Sequence, residues 1–339
     1  MTTFDPSGPA EFDGIFGLPN DPDAAGVVLL PVPWEPTTSY RKGTAGGPKN
    51  IYQASLQVDL FDRENGRPYE AGIALLRDDD EIVRLNDEAC ALAQPIIDNG
   101  GAHDRPELVR ALARVNELSD ALNQRVDDIA SRWLDMGKLV GLVGGDHSSP
   151  FGLMRAIARR RPGLGVLHFD AHADLRAAYE GFAHSHASIM YNVHEQLPDI
   201  ATIVQVGVRD LSEEENDLSE RSPRIRSFFD VDLAERAFAG EPFGKIASDI
   251  AAALPKEVYI SFDIDGLEPA LCPATGTPVP GGLSFREACA ILRAVVASGR
   301  TIVGFDLNEV SGASEWDGIV GARILYKLIG AALRSRRSP

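Results

Sequence analysis

The chain alternates short, solidly apolar runs with segments whose apolar residues return every three or four positions. The apolar runs lie at 26–32, 139–143, 165–169, 203–208, 258–262 and 302–305. Runs of this length without polar alternation belong to strands covered on both faces, the habit of parallel sheets. Residues 105–136 read differently. Leu108, Leu112, Val115, Leu118, Leu122, Val126, Ile129 and Trp133 recur at steps of three and four, the stripe of an amphipathic helix that covers a sheet. Segments 80–98, 150–160, 245–253, 285–298 and 317–334 read as further helices. Strand–helix alternation on this scale predicts an α/β protein with a mainly parallel sheet and helices on both faces. Residues 1–24, rich in Pro, Gly and Asp, predict an irregular arm. Residues 36–50, with Pro36, Gly43, Gly46, Gly47 and Pro48, predict a loop. No repeat, low-complexity tract or linker interrupts the 339 residues, so one domain is expected over 1–339.

Open parallel sheets bind ligands outside the carboxyl ends of their strands. Polar groups accumulate at those ends here. His147 follows 139–143, Asp170 follows 165–169, Arg209 follows 203–208, Asp263 follows 258–262, and Glu309 comes just after 302–305. Chance would scatter such groups over both rims. Asp170-Ala171-His172-Ala173-Asp174 and Asp263-Ile264-Asp265 are too tightly spaced for a helical ligand face. In an extended or loop segment, alternate residues project to one side. With His147 of Gly144-Gly145-Asp146-His147-Ser148, these stretches supply four carboxylates, those of Asp170, Asp174, Asp263 and Asp265, and two imidazoles. That donor set suits Mn²⁺, with Zn²⁺ and Ni²⁺ as alternatives, and does not suit thiolate-loving metals. Four crowded aspartates repel one another, and some keep their protons. Two divalent cations balance four negative charges, whereas one ion leaves two buried charges uncompensated. Two ions would also let a water ionise near neutral pH. A lone Asp-x-Asp usually caps a turn; it is the three motifs together, each after a strand, that carry the metal reading. His168, inside an apolar run, reads as a core histidine with its hydrogen bonds satisfied.

Charge narrows the partners. With 33 Lys and Arg against 50 Asp and Glu, the formal net charge is −17, and there is no long basic run. This argues against nucleic acid and anionic membrane as partners and is compatible with a cationic substrate. Cys90, Cys272 and Cys289 form no disulfide framework and fit a reducing compartment. The first residues lack the basic start and apolar stretch of a signal peptide, and no apolar run approaches the ~20 residues of a membrane span. A cytoplasmic location is expected. Lys42-Gly43-Thr44 has the wrong residue order for a phosphate loop. Cys272, in the 269–280 loop, reads as a packed turn cysteine.

The motifs resemble those of the ureohydrolase family, which contains agmatinases, arginases, guanidinobutyrases and formiminoglutamases. The matching pieces are Gly144-Gly145-Asp146-His147-Ser148, Asp170-Ala171-His172-Ala173-Asp174, Ser185-His186-Ala187-Ser188, Ser261-Phe262-Asp263-Ile264-Asp265 and Gly276-Thr277-Pro278-Val279-Pro280-Gly281-Gly282. The loop from Thr38-Ser39-Tyr40 to Gly47-Pro48 joins them, so the resemblance spans roughly residues 26–335. It implies an arginase-like three-layer α/β/α sandwich holding two Mn²⁺ ions, and a homo-oligomer, trimer or hexamer. His147, Asp170, Asp174 and Asp263 would bind one ion. His172, Asp170, Asp263 and Asp265 would bind the other, with Asp170 and Asp263 bridging. Glu309 would pair with a substrate guanidinium, His186 would carry a proton to the leaving amine, and Asp146 would support the ligands. His184 is the less favoured neighbour of His186.

The implied reaction cleaves a small cationic guanidino compound to urea and an amine. The far end of that compound is harder to read. Arg176 would meet a substrate carboxylate or else brace its loop, and Glu180 would greet the distal ammonium of agmatine. The stretch from Tyr179 to Ser188 departs from the common agmatinase pattern and is closer to the plant arginase version. Agmatine is the first expectation, arginine the second, guanidinobutyrate or another guanidino acid the third. Formiminoglutamases usually lack the shuttle histidine that stands here as His186. Two readings from other classes are a single-zinc amine deacetylase and a metal-free binding relative. The additional His147, Asp174 and Asp265 speak against the first, and the intact ligand set against the second.

Overall fold

Each apolar run becomes a strand, and all strands share one sheet. The computed structural model describes residues 5–337. Among these, the strands are β1 (Val27–Val32), β2 (Ile73–Leu75), β3 (Leu139–Gly144), β4 (Leu164–Phe169), β5 (Ile200–Val206), β6 (Ile225–Phe228), β7 (Glu257–Asp263) and β8 (Thr301–Asn308). Their spatial order is β2-β1-β3-β8-β7-β4-β5-β6, and every neighbouring pair is parallel. The helices are α1 (Gly47–Ser55), α2 (Asp80–Asp98), α3 (Pro106–Asp135), α4 (Phe151–Ala158), α5 (Ile189–Gln196), α6 (Glu213–Arg221), α7 (Asp230–Phe238), α8 (Phe243–Ala252), α9 (Phe285–Ala297) and α10 (Glu315–Ser335). No described helix is long and apolar enough to cross a membrane.

Alternation along the strands builds the two outer layers. Leu167 and Phe169 of β4, with Ile260 and Phe262 of β7, face a core completed by α1, α8, α9 and α10. Val166 and Tyr259 point the other way, onto a core completed by α2, α3, α4 and α5. The stripe predicted on 105–136 is buried at Leu108, Val115, Leu118, Leu122, Val126 and Trp133. The expected three-layer α/β/α sandwich is therefore present, with a wholly parallel sheet.

One expectation needs correction. Residues 36–50 are not all loop, because α1 starts at Gly47. Pro48 sits in its first turn, where a missing N–H costs nothing. Before β1, the described part of the expected 1–24 arm, residues 5–24, holds one short 3₁₀ turn, Ile15–Gly17, and no longer helix or strand; residues 1–4 lie outside the described residues. Ile15, Phe16 and Leu18 are buried, and the Phe16 ring packs 4.8 Å from that of Tyr326.

The register aligns the strand ends. Val143, Leu307, Phe262, Phe169 and Val206 stand side by side across five adjacent strands. The residues that follow this row are the polar motifs read from the sequence. The loop carrying His147 runs directly into α4, which lies against α3 with almost no space. A Cβ on Gly152 would fall 2.3 Å from the Asn123 carbonyl oxygen. Gly152→Ala is expected to force α4 off α3 and lower stability by about 1–3 kcal/mol in urea unfolding. Gly244→Ala, where a Cβ would meet nothing within 4 Å, serves as the control and should leave stability within about 1 kcal/mol.

Candidate metal centre and cleft

Four buried side chains converge at the ends of β3, β4 and β7. His147 Nδ1 lies 2.9 Å from Asp170 Oδ2, 3.3 Å from Asp174 Oδ2 and 3.2 Å from Asp263 Oδ2. A second group adjoins them. His172 Nδ1 lies 3.4 Å from Asp170 Oδ1 and 3.2 Å from Asp265 Oδ2. Asp170 thus turns one carboxylate oxygen to each group, the arrangement a bridging ligand needs. Asp263 gives Oδ2 to the first group, while its Oδ1 accepts from the Asp265 backbone N–H at 2.8 Å. Asp174 reaches the cluster from a left-handed backbone (φ 55°), a strained state for a residue with a Cβ.

The electrostatics call for cations. Burial pushes the Asp174 carboxyl up to about 8, with the Asp170 charge adding to the rise. Burial, then the charges of Asp265 and Asp170, raise Asp263 well above the carboxylate range. Burial works to strip His147 of a proton, but Asp170, Asp174 and Asp263 together hold its pKa well above the ordinary value. Left to itself, the cluster balances its charge with protons. Two divalent cations would do the same with oxygen and imidazole ligands they favour. The donor set therefore fits a pair of such ions.

Surrounding groups orient the donors. Ser261 Oγ donates to Asp306 Oδ1 at 3.0 Å, so at 2.9 Å it accepts from His147 Nε2–H, which leaves Nδ1 facing the carboxylates. His168 is the satisfied core histidine expected. Its Nδ1 accepts from Gln205 at 3.1 Å and its Nε2–H donates to Asp170 Oδ2 at 2.8 Å. Asp146 Oδ1 accepts from the N–H and the hydroxyl of Ser148, so Asp146 ties down the loop that carries His147. Arg209 spends its guanidinium on the carbonyls of Gly207, Asp265, Leu267 and Val279, bracing the loop after β7.

A cleft of about 170 Å³ opens onto this centre. His172 and Asp174 reach it, and Arg176, Tyr179, His186 and Asp210 line it. Arg176 bonds Glu215 at 3.3 Å and lies over the Tyr179 ring. Glu180 is not among the lining residues. Glu309 Oε1 accepts from the His147 backbone N–H at 3.0 Å, while Oε2 faces Gly276. Burial and the nearby Asp146 charge push the Glu309 carboxyl well above its usual range. His184 turns away to Asp120 at 3.1 Å and packs on Phe151. Cys272 is buried in its turn, and burial pushes its thiol upward, which keeps it protonated. Sequence reasoning passed over Thr37, Ser261 and Asp210. Asp210 follows β5 next to Arg209, so the strand-end rule could have found it.

Asp170→Asn is expected to weaken binding of both ions, because it removes the charge of the one carboxylate that faces both groups and turns one of its two oxygens into an amide nitrogen. Ser261→Ala should weaken metal binding about 10- to 100-fold without removing a ligand. Metal analysis after dialysis checks both, and an Asp170→Asn protein that keeps two ions would refute the assignment.

Residues 25–331 match the sequence model of the Arginase family. The chain is 32% identical over 340 residues to the N(1)-aminopropylagmatine ureohydrolase of Synechocystis sp., a match covering 98% of this chain and 96% of that one. It is 30% identical over 320 residues to the guanidinopropionase of Pseudomonas aeruginosa, with 91% and 87% covered. The crystal structure of the agmatine ureohydrolase of Thermoplasma volcanium has the same fold, with a TM-score of 0.71 at 22% identity over 95% of each chain. Matched along nearly its whole length and carrying the His/Asp cluster of a binuclear metal site, the chain belongs to the arginase family of hydrolases that act on amidino groups.

Proposed function

We propose that this hydrolase cleaves a guanidino compound with a second cation at its far end, agmatine foremost, to urea and an amine. The observation that carries the choice is the charge of the cleft wall. Arg176, the one guanidinium lining it, is already paired with Glu215, whereas the exposed Asp210 carboxylate has no ion pair among the described residues. A distal ammonium would find a partner in Asp210. A distal carboxylate, as in guanidinobutyrate, would find a repelling charge. Arginine, which carries both, stands between them. A longer tail is the second reading, favoured by the relative named N(1)-aminopropylagmatine ureohydrolase.

His147, Asp170, Asp174 and Asp263 would hold one ion, and His172, Asp170, Asp263 and Asp265 the other. When bound, the pair supplies the Lewis acidity that lets water ionise near neutral pH, and Mn²⁺ suits this oxygen-rich donor set. Glu309 is fixed through Oε1 on the His147 N–H, and its Oε2 would accept from the substrate guanidinium. Water adds to the guanidinium carbon, and the C–N bond to the tail then breaks. His186, on the cleft wall, would carry the proton that the departing nitrogen needs. Burial, then the His172 charge, lower its pKa to about 4, so it stands ready as a neutral base. The products are urea and, from agmatine, a diamine.

Urea release from the manganese-loaded enzyme is expected to be fastest with agmatine or its aminopropyl form, slower with arginine and slowest with guanidinobutyrate. Faster turnover of guanidinobutyrate would overturn the proposal. Asp210→Asn should raise KM for the cationic-tailed substrates about tenfold and leave kcat within about threefold. Glu309→Ala should keep both ions yet lower kcat/KM by about 100-fold or more.

A further inference from the structure

Behind His186 lies a buried hydroxyl whose hydrogen bonds are fully committed. Thr37 Oγ1 accepts from the His186 backbone N–H at 3.1 Å, lies 3.2 Å from Asp146 Oδ2, and lies 3.2 Å from His186 Nδ1. Neither Thr37 nor Asp146 is exposed to solvent. A hydroxyl offers one proton and two lone pairs. The backbone N–H takes one lone pair. The Asp146 carboxylate can only accept, so it takes the proton. The remaining lone pair points at Nδ1, which must therefore be the donor. His186 Nε2 is left bare, with no hydrogen bond among the described residues. The loop that carries Thr37 is itself tied down. The Glu35 carboxylate accepts from the backbone N–H groups of Gly43 at 2.6 Å and Ala45 at 3.1 Å.

We propose that Thr37 is a positioning residue that locks His186 in the Nδ1–H tautomer, so that Nε2 is the atom that takes and returns the proton in the hydrolysis. The inference rests on the role given above to His186. Nε2 accepts a proton released as water adds, and passes it to the nitrogen of the breaking C–N bond. The imidazole ends the cycle neutral, and Nδ1–H donates to Thr37 throughout, so neither state requires the threonine to turn. With the other tautomer, Nε2 would begin the cycle already carrying a proton and could not accept one.

The test compares Thr37→Val, which keeps the shape and loses the hydroxyl, with Thr37→Ser, which keeps the hydroxyl. In the manganese-loaded enzyme, Thr37→Val is expected to lower kcat about 10- to 100-fold with KM within about threefold, and Thr37→Ser to restore kcat to within about threefold of the parent. In a His186→Ala background, Thr37→Val should cost nothing further, because both act through one imidazole. ¹⁵N spectra of the enzyme loaded with diamagnetic Zn²⁺ give a reading independent of substrate. His186 should be Nδ1-protonated in the parent and in Thr37→Ser, and should shift toward Nε2–H in Thr37→Val. Full turnover of Thr37→Val beside a crippled His186→Ala, an undiminished Thr37→Val penalty in the His186→Ala background, or an unchanged tautomer would overturn the inference alone. Full turnover of His186→Ala would overturn the role of the histidine and this inference with it.

Discussion

Buried negative charge is the constraint around which the rest of this protein is arranged. Asp170, Asp174 and Asp263 each bring an oxygen within 3.3 Å of one imidazole nitrogen, and Asp265 stands in the adjoining group. No packing force would assemble such a set on its own account, since desolvation and mutual repulsion both oppose it. The parallel sheet makes it tolerable. It fixes the donors at the ends of neighbouring strands, so the entropy cost of gathering them is met by the fold as a whole and not by the site.

The sheet order explains how this is done. β3, β8, β7, β4 and β5 lie side by side, although they come from widely separated parts of the chain. Their last apolar residues are in register, so the next few residues of each strand share one rim. Hydrogen bonds from outside the cluster then brace several of the donors. Ser261 and Asp306 turn His147, His168 steadies Asp170, and Arg209 holds the carbonyl of Asp265. The rim also carries the cleft, lined by Arg176 and Tyr179 from the segment after the β4 donors and by Asp210 from the segment after β5.

Much of this was legible in the sequence, for physical reasons. Strands buried on both faces must be continuously apolar, so β1, β3, β4, β5, β7 and β8 announced themselves. The edge strands β2 and β6, three and four residues long, are too short to leave a pattern. The candidate donors were readable because Asp-x-His-x-Asp and Asp-x-Asp crowd them into very short stretches after strands, although Asp174 sits in a left-handed backbone and Asp265 in a 3₁₀ turn, not in extended segments. What could not be read was contact between distant residues. The pairing of Arg176 with Glu215 and the contact of Thr37 with Asp146 and His186 depend on how loops meet, and no local spacing encodes that. Glu180 shows the converse: its position beside the motif suggested a role, yet the structure leaves it off the cleft wall.

The requirement for two cations, and not one or none, is tested most directly by anomalous diffraction from crystals grown with manganese, recorded on both sides of the manganese absorption edge. Charge balance requires two anomalous peaks, one among His147, Asp170, Asp174 and Asp263, the other among His172, Asp170, Asp263 and Asp265, with Asp170 and Asp263 shared. A single peak, or peaks away from these residues, would contradict it.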